Sequence, residues 1–215
     1  MRKIAISYSG GKESALALYR AISQGFEPVT LITTYSADRD RSLFHGLSEP
    51  VLKRIARSLD IPIFLAKPTI DNYAQCFENA LLHAKGLGAT ACVFGDIDIE
   101  DHRAWGRERC QAVEIDPLYP LWGESRESLV HEFIDAGFVA NIVVVDTKRL
   151  SDDFLGRQLT KEIVGQIAET GADICGENGE YHTFVSAGPI FRPPVQFAFG
   201  EKVMHDEYAL LPVKE

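Results

Sequence analysis

The residues with the clearest chemical potential form a short run, Ser9-Gly10-Gly11-Lys12-Glu13-Ser14. Two adjacent glycines let a backbone approach a ligand with no Cβ in the way. Ser9 and Ser14 supply hydroxyl donors, and Lys12 supplies a cation. An apolar stretch, Lys3 to Tyr8, precedes the run, and Ala15, Leu18, Tyr19 and Ile22 follow it at helical spacing. A strand feeding a helix start presents free N–H groups and the positive end of a helix dipole, a setting suited to phosphate. The plain alternative is a strand-to-helix turn, with Gly for geometry and Ser9 as a cap. Neither G-x-x-x-x-G-K-[ST] nor G-x-G-x-x-G is present.

Two further segments carry chemistry. One is Phe94-Gly95-Asp96-Ile97-Asp98-Ile99-Glu100-Asp101-His102-Arg103, followed downstream by Pro120-Leu121-Trp122-Gly123. Asp96 falls at the end of an apolar run, where it is either a nearby acid or the cap of a turn. Arg103 and Arg107 sit four apart on a helix face, where Glu100 and Glu108 can pair with them. The other segment is Cys175-Gly176-Glu177-Asn178-Gly179-Glu180-Tyr181-His182-Thr183-Phe184-Val185. Asn178-Gly179 is a strong turn signal by itself. A turn does not require Glu177 and Glu180 on both sides, nor the His182-Thr183 that follows. His182 is a candidate base near neutral pH. A lone loop histidine, His45, carries little weight.

The glycine loop resembles the S-G-G-x-[DS]-S signature of the PP-loop ATP pyrophosphatases, with Glu13 where many members carry Asp. With the two later segments in the same order, the chain resembles the diphthine–ammonia ligase (diphthamide synthetase) family, in its short branch of bacterial type. The resemblance runs over nearly the whole chain. It implies ATP as cofactor and cleavage between the α and β phosphates. A carboxylate would attack the α phosphorus, and ammonia or an amine would displace AMP. It implies nucleotide binding by Ser9, Gly10, Gly11, Lys12, Glu13, Ser14, Gly95, Asp96 and Arg103. Mg²⁺ would sit at Asp96 and Glu177, and Lys12, Glu177, Glu180 and His182 would be catalytic. Lys12, as a loop lysine, is expected to be dispensable for the fold. The implied partners are a small-molecule or protein-borne carboxylate, ammonia and a second copy in a homodimer. A tRNA-modifying PP-loop enzyme and an ATP-binding sensor of the universal-stress type are the alternatives. The absence of C-x-x-C disfavours the first. The early position of the glycine loop disfavours the second.

These residues need elements to position them. The first two thirds of the chain alternate strand-like and helix-like segments. Helices are expected over Glu13–Gln24, after Ser48 with Pro50 in the first turn, after Asp71 and over 100–112. Strands are expected at Pro28–Thr34, Ile61–Ala66, Ala91–Phe94 and Ile115–Leu118. This rhythm predicts an α/β fold, with a parallel-sheet, HUP-like (Rossmann-like) nucleotide-binding domain over residues 1–121. In such sheets ligands bind at the carboxyl ends of the strands. Residues 122–215 read as a smaller α+β acceptor-substrate domain. It has helices near 125–136 and around Ile163 and Ile167, and a strand over Phe138–Val145. Antiparallel strands are expected at Thr183–Ala187, Val195–Lys202 and Tyr208–Val213.

Composition sets the outer limits. The 215 residues are 46% hydrophobic and 25% charged, an ordinary globular balance that excludes collagen-like and disordered classes. No apolar run approaches the roughly 20 residues that cross a bilayer, so no membrane role is expected and the cytoplasm is the expected compartment. The net charge of -9 disfavours a broad grip on nucleic acid. The four cysteines have no zinc spacing and no disulfide pattern.

Overall fold

The computed structural model describes residues 1–215, apart from the side chain of Ile70. The parallel-sheet α/β reading holds. Strands β1 (Lys3–Ser7), β2 (Glu27–Ser36), β3 (Arg41–Ser42), β4 (Ile63–Ala66), β5 (Ala91–Val93) and β6 (Asp116–Leu118) form one sheet. β1 lies between β2 and β5, and β4 and β6 extend the sheet outward, all in parallel. Only β3 runs antiparallel, as a short return on the carboxyl end of β2.

The burial pattern follows the two-residue period of a strand. Ile4 and Ile6 of β1 enter one core, and Ala5 enters another on the opposite face. Helices α1 (Lys12–Ser23) and α2 (Glu49–Leu59) cover the first face. Helices α3 (Tyr73–Gly86) and α4 (Glu100–Ala112) cover the second. The crossovers between parallel strands require this two-sided cover.

The second part supplies α5 (Arg126–Asp135), β7 (Val139–Asp146), α6 (Lys161–Glu169), β8 (Tyr181–Ala187), β9 (Ala198–Phe199), β10 (Val203–His205), β11 (Tyr208–Leu210) and β12 (Val213–Lys214). A four-stranded antiparallel sheet runs β10-β11-β7-β8, and β9 pairs with β12. Its apolar side joins the α1–α2 face in one continuous core. Phe133, Phe138, Ile142 and Phe184 belong to the same cluster as Ile4, Leu18 and Leu52. Arg20 of α1 fastens the seam. It donates to the Pro120 carbonyl at 2.7 Å and to Glu124 and Glu132 at 2.9 Å each.

Several local expectations need correction. Asp71 does not cap α3. A short 3-10 turn over Ile70–Asn72 precedes the helix, closed by a reciprocal Thr69–Asn72 capping box. Ser48 occupies the cap position of α2, but its side chain makes no capping hydrogen bond. The strand expected over Val195–Lys202 shrinks to Ala198–Phe199. Pro193 and Pro194 precede it without N–H donors, and Gly200 ends it. Ser125 caps α5 and Thr160 caps α6, each side chain accepting the backbone N–H three residues on.

Candidate active site

The glycine loop lies at the carboxyl end of the central strand, where α1 begins. Gly10 adopts a positive φ of 90°, which turns the chain from strand to helix. The Ser9 hydroxyl accepts the Gly11 N–H at 3.2 Å, and the Ser14 hydroxyl donates to the Gly11 carbonyl at 2.9 Å. Gly95, just past β5, packs directly on this turn. A Cβ there would lie 2.9 Å from the Glu13 carbonyl carbon and 3.0 Å from the Ser14 nitrogen.

β8 closes onto the loop from the other half of the chain. The Val185 N–H donates to the Gly10 carbonyl at 3.0 Å, and the Lys12 N–H donates to the Thr183 hydroxyl at 3.2 Å. His45, between β3 and α2, is buried and hydrogen-bonds through Nδ1 to the Thr183 carbonyl at 2.7 Å. Burial, with Lys12 nearby, lowers its pKa to about 4. The ring is therefore neutral at pH 7 and carries its proton on Nδ1, the atom that faces a carbonyl. Its edge fills the space over Gly11, where a Cβ would lie 2.2 Å from Cε1. Gly11→Ala is therefore expected to lower Tm and weaken ligand binding at the loop. The second substitution His45→Ala should restore part of both. Calorimetric unfolding of the single and double variants checks this coupling.

Together these elements enclose a cleft of about 270 Å³. Ser9, Lys12, Glu13 and Ser14 line one wall, Gly95, Asp96 and His102 a second, and Glu177, Tyr181, His182 and Thr183 a third. The structure thus gathers most of the loop, Asp96, Glu177 and His182 from three distant segments.

Lys12 is buried and turned inward. Its ammonium contacts the Glu13 carboxylate and the Cys175 carbonyl, 4.9 Å from the centre of the Tyr181 ring. Burial alone would lower its pKa, yet Glu13, with Tyr181, Cys175 and Glu177, holds it raised. The lysine is charged, and it is buried against these groups rather than standing free in the loop, so its removal is expected to cost stability. Burial and the adjacent Glu13 push the Glu177 carboxyl up to about 8, against the pull of Lys12 and Arg126. Burial also raises Asp96, and His102, 3.6 Å away, opposes the shift.

Three expected roles do not fit this geometry. The His182 pKa is lowered to about 3 by burial, the His45 ring at 5.0 Å and Lys12. It stays neutral and is too weakly basic to be the expected base near neutral pH. Glu180 faces away from the cleft. Its carboxylate accepts the backbone N–H groups of Asp173 and Asn178 and the Asn178 amide, so it builds the loop. Arg103 also lies outside. Its guanidinium stacks 4.2 Å from the centre of the Trp122 ring and reaches Glu100 at 3.6 Å. As for a metal, no group of three His, Cys, Asp or Glu side chains is placed to hold one among the described residues.

Sequence reasoning missed a clamp on the 173–177 segment. Arg126 holds Asp98 through two hydrogen bonds of 2.8 Å and also pairs with Asp173. Asp173 in turn accepts the N–H groups of Cys175 at 3.1 Å and Glu177 at 2.9 Å. The partners of Arg126 lie 28 and 47 residues away, so no local spacing could mark it.

Residues 1–117 match the diphthamide synthase N-terminal domain, and residues 125–215 match the diphthamide synthase C-terminal domain. The chain belongs to the diphthamide synthase family. This diphthamide synthase-family chain is 25% identical to the diphthine–ammonia ligase of Danio rerio, over 95% of its own length and 90% of that protein. It is 24% identical to the Homo sapiens diphthine–ammonia ligase, over 98% and 88%. A solved structure described as a predicted subunit of tRNA methyltransferase from Methanocaldococcus jannaschii aligns with a TM-score of 0.49 at 16% identity. It covers 87% of this chain and 98% of that one. As a member of this family, the chain is an ATP-dependent ligase, and the alternatives of a tRNA-modifying enzyme or a stress-type sensor are not favoured. No helix of the described residues is long and apolar enough to cross a membrane.

Proposed function

We propose that the chain adenylates a carboxylate with Mg²⁺-ATP and transfers the acyl group to ammonia, in the manner of a diphthine–ammonia ligase. The observation that carries this reading is the docking of β8 on the glycine loop. It sets a phosphate cradle and a desolvated carboxylate, Glu177, in one cleft. A carboxylate oxygen bonds to the α phosphorus as the bridge to the β phosphate breaks and pyrophosphate leaves. Ammonia then attacks the acyl carbon and AMP departs.

The positive end of α1, the Ser9 and Ser14 hydroxyls once turned toward the phosphates, and the fixed charge of Lys12 stabilise the developing negative charge. Mg²⁺ needs only one or two carboxylates beside the phosphates, so the lack of a three-carboxylate cluster is compatible with it. Asp96 and Glu177, both lining the cleft, are the residues that would hold it, and a bound cation would offset the burial that raises both carboxyls. The metal would neutralise phosphate charge. Where Glu177 is free of metal, its raised pKa suits it to take the proton that the attacking ammonia sheds.

On this reading residues 1–121 supply the glycine loop that holds the nucleotide, and residues 122–215 close the cleft and contribute to acceptor binding. The enzyme works in the cytoplasm, a reading supported by its four free cysteines; a homodimer rests on the commonness of two-fold dimers alone. The test is the product set from Mg²⁺-ATP with ammonia and a pool of acceptor acids. AMP and pyrophosphate, increased by the acids, are expected. ADP and phosphate would overturn the reading.

A further inference from the structure

Beside the loop cleft runs a second groove. Its two lobes, about 280 and 300 Å³, share Arg39, Leu43, Phe44, His205 and Leu210. One wall is the segment after β2, at the carboxyl end of the parallel sheet. The other is the β10–β11 hairpin from the opposite half of the chain. Phe44 and His182 line both this groove and the loop cleft, with ring centres 6.4 Å apart. The two spaces are therefore neighbours across a shared aromatic partition.

The groove has an unusual surface. Of the ten large hydrophobic side chains left exposed among the described residues, five line it: Leu43, Phe44, Val203, Met204 and Tyr208. Scattered single exposures need no explanation, but half of the total in one concavity does. Two guanidiniums, Arg39 and Arg41, stand in the same groove; Arg41 Nε donates to the Arg39 carbonyl at 3.0 Å, and neither side chain has a carboxylate partner among the described residues. The other ionisable groups there are His182, His205, Asp206 and the Tyr208 phenol, and His205 and Asp206 face each other at 3.4 Å. Two unpaired cations over an apolar floor, in a chain of net charge -9, mark a site for an anion with an apolar body. The lobes are sized for a small molecule.

Resting on the adenylating reading above, we propose that this groove is the acceptor site. It takes a small acid with a flat apolar body and a second anionic group. The second anion pairs with Arg39 and Arg41, the body lies over Leu43, Met204 and Tyr208, and the reacting carboxylate passes Phe44 and His182 toward the α phosphate. The site selects against cationic acceptors.

The chain has two methionines, Met1 and Met204, so a ¹³C-methyl spectrum reports the groove almost alone. The probes are naphthalene-2,6-dicarboxylate, 2-naphthoate and the trimethylammonium counterpart of 2-naphthoate, each titrated into the full chain. The dianion is expected to shift the Met204 signal saturably, at concentrations at least tenfold below those 2-naphthoate needs. Arg39→Gln with Arg41→Gln should erase that tenfold preference and leave the weaker 2-naphthoate response in place. A Met204 signal that ignores the dianion overturns the proposal, as does equal or tighter binding of the cation. So does a preference that survives the double substitution. Met204 shifts that follow protein concentration with no probe present would assign the groove to a second copy of the chain instead. Calorimetric ATP titration of the same sample separates the two readings. Failure to bind ATP counts against the adenylating function, whereas ATP binding with a silent Met204 counts against the groove alone.

Discussion

Lys12→Ala is expected to abolish ATP turnover and to lower Tm together. The catalytic part follows from charge. A preorganised cation beside a departing pyrophosphate is worth about 10²–10³ in rate, by analogy with removing one oxyanion donor. The stability part follows from what Lys12 touches. Its ammonium is enclosed by Glu13, the Cys175 carbonyl and the Tyr181 ring. Truncation leaves a carboxylate and a buried carbonyl without their cation, and breaking a buried pair from one side costs roughly 3–5 kcal/mol. Lys12→Arg keeps the charge in a longer, flatter group, so it should recover part of the stability and less of the rate. Thermal unfolding and pyrophosphate release on the three proteins check both halves. An alanine variant with normal Tm would show that the inward contacts carry no stability. One with normal turnover would remove the loop from the chemistry.

The second large effect concerns Glu177→Gln and depends on pH. Folding raises this carboxyl from its ordinary value of 4.5 to about 8, so the folded chain holds the proton more tightly than the unfolded one. The stabilisation linked to that proton is complete below about pH 4.5 and is lost as pH rises through about 8. Glutamine cannot ionise and escapes that loss. The variant should match the wild type in Tm near pH 5 and exceed it by pH 9, by about 4 °C or more. Activity should move the other way. The acyl-transfer step loses a base, a loss of about 10²-fold or more, while ATP binding survives. In the wild type, turnover should climb through pH 8 as the carboxylate forms, and the variant should be flat. Hydroxylamine in place of ammonia keeps the nucleophile's own titration out of the profile. Parallel Tm curves for the two proteins would show that Glu177 is ionised throughout.

Elements with local causes were legible in the sequence. The loop at Ser9–Ser14 sits between an apolar run and a helical period, and both signals lie within a few residues of it. The sequence predicts helix α4 at about 100–112, and the structure places it at Glu100–Ala112. What escaped depends on partners far along the chain. His45 read as an unremarkable loop residue, and only the return of β8 makes it the ceiling of Gly11. The catalytic reading of Glu180 and His182 rests on the family resemblance, since the residues alone fit a hairpin turn as well. Whether a carboxylate faces a cleft or its own loop is set by side-chain direction, and a motif does not encode that. Arg103 followed the same logic. Its helix face was readable, but the aromatic pair that captures it comes from the chain after β6.

The bonds from Val185 and Thr183 to the glycine loop also bear on how such a protein can change over time. The two halves share one hydrophobic interior, and part of the phosphate cradle is hydrogen-bonded to a strand of the second half. Grafting a different second half onto this nucleotide-binding half would therefore strip the cradle of two of its tethers and its histidine ceiling of an anchor. On the groove assignment above, new acceptor preferences are more readily acquired by altering residues 39–44 and the β10–β11 hairpin, whose side chains lie in the neighbouring groove and leave both tethers and His45 in place.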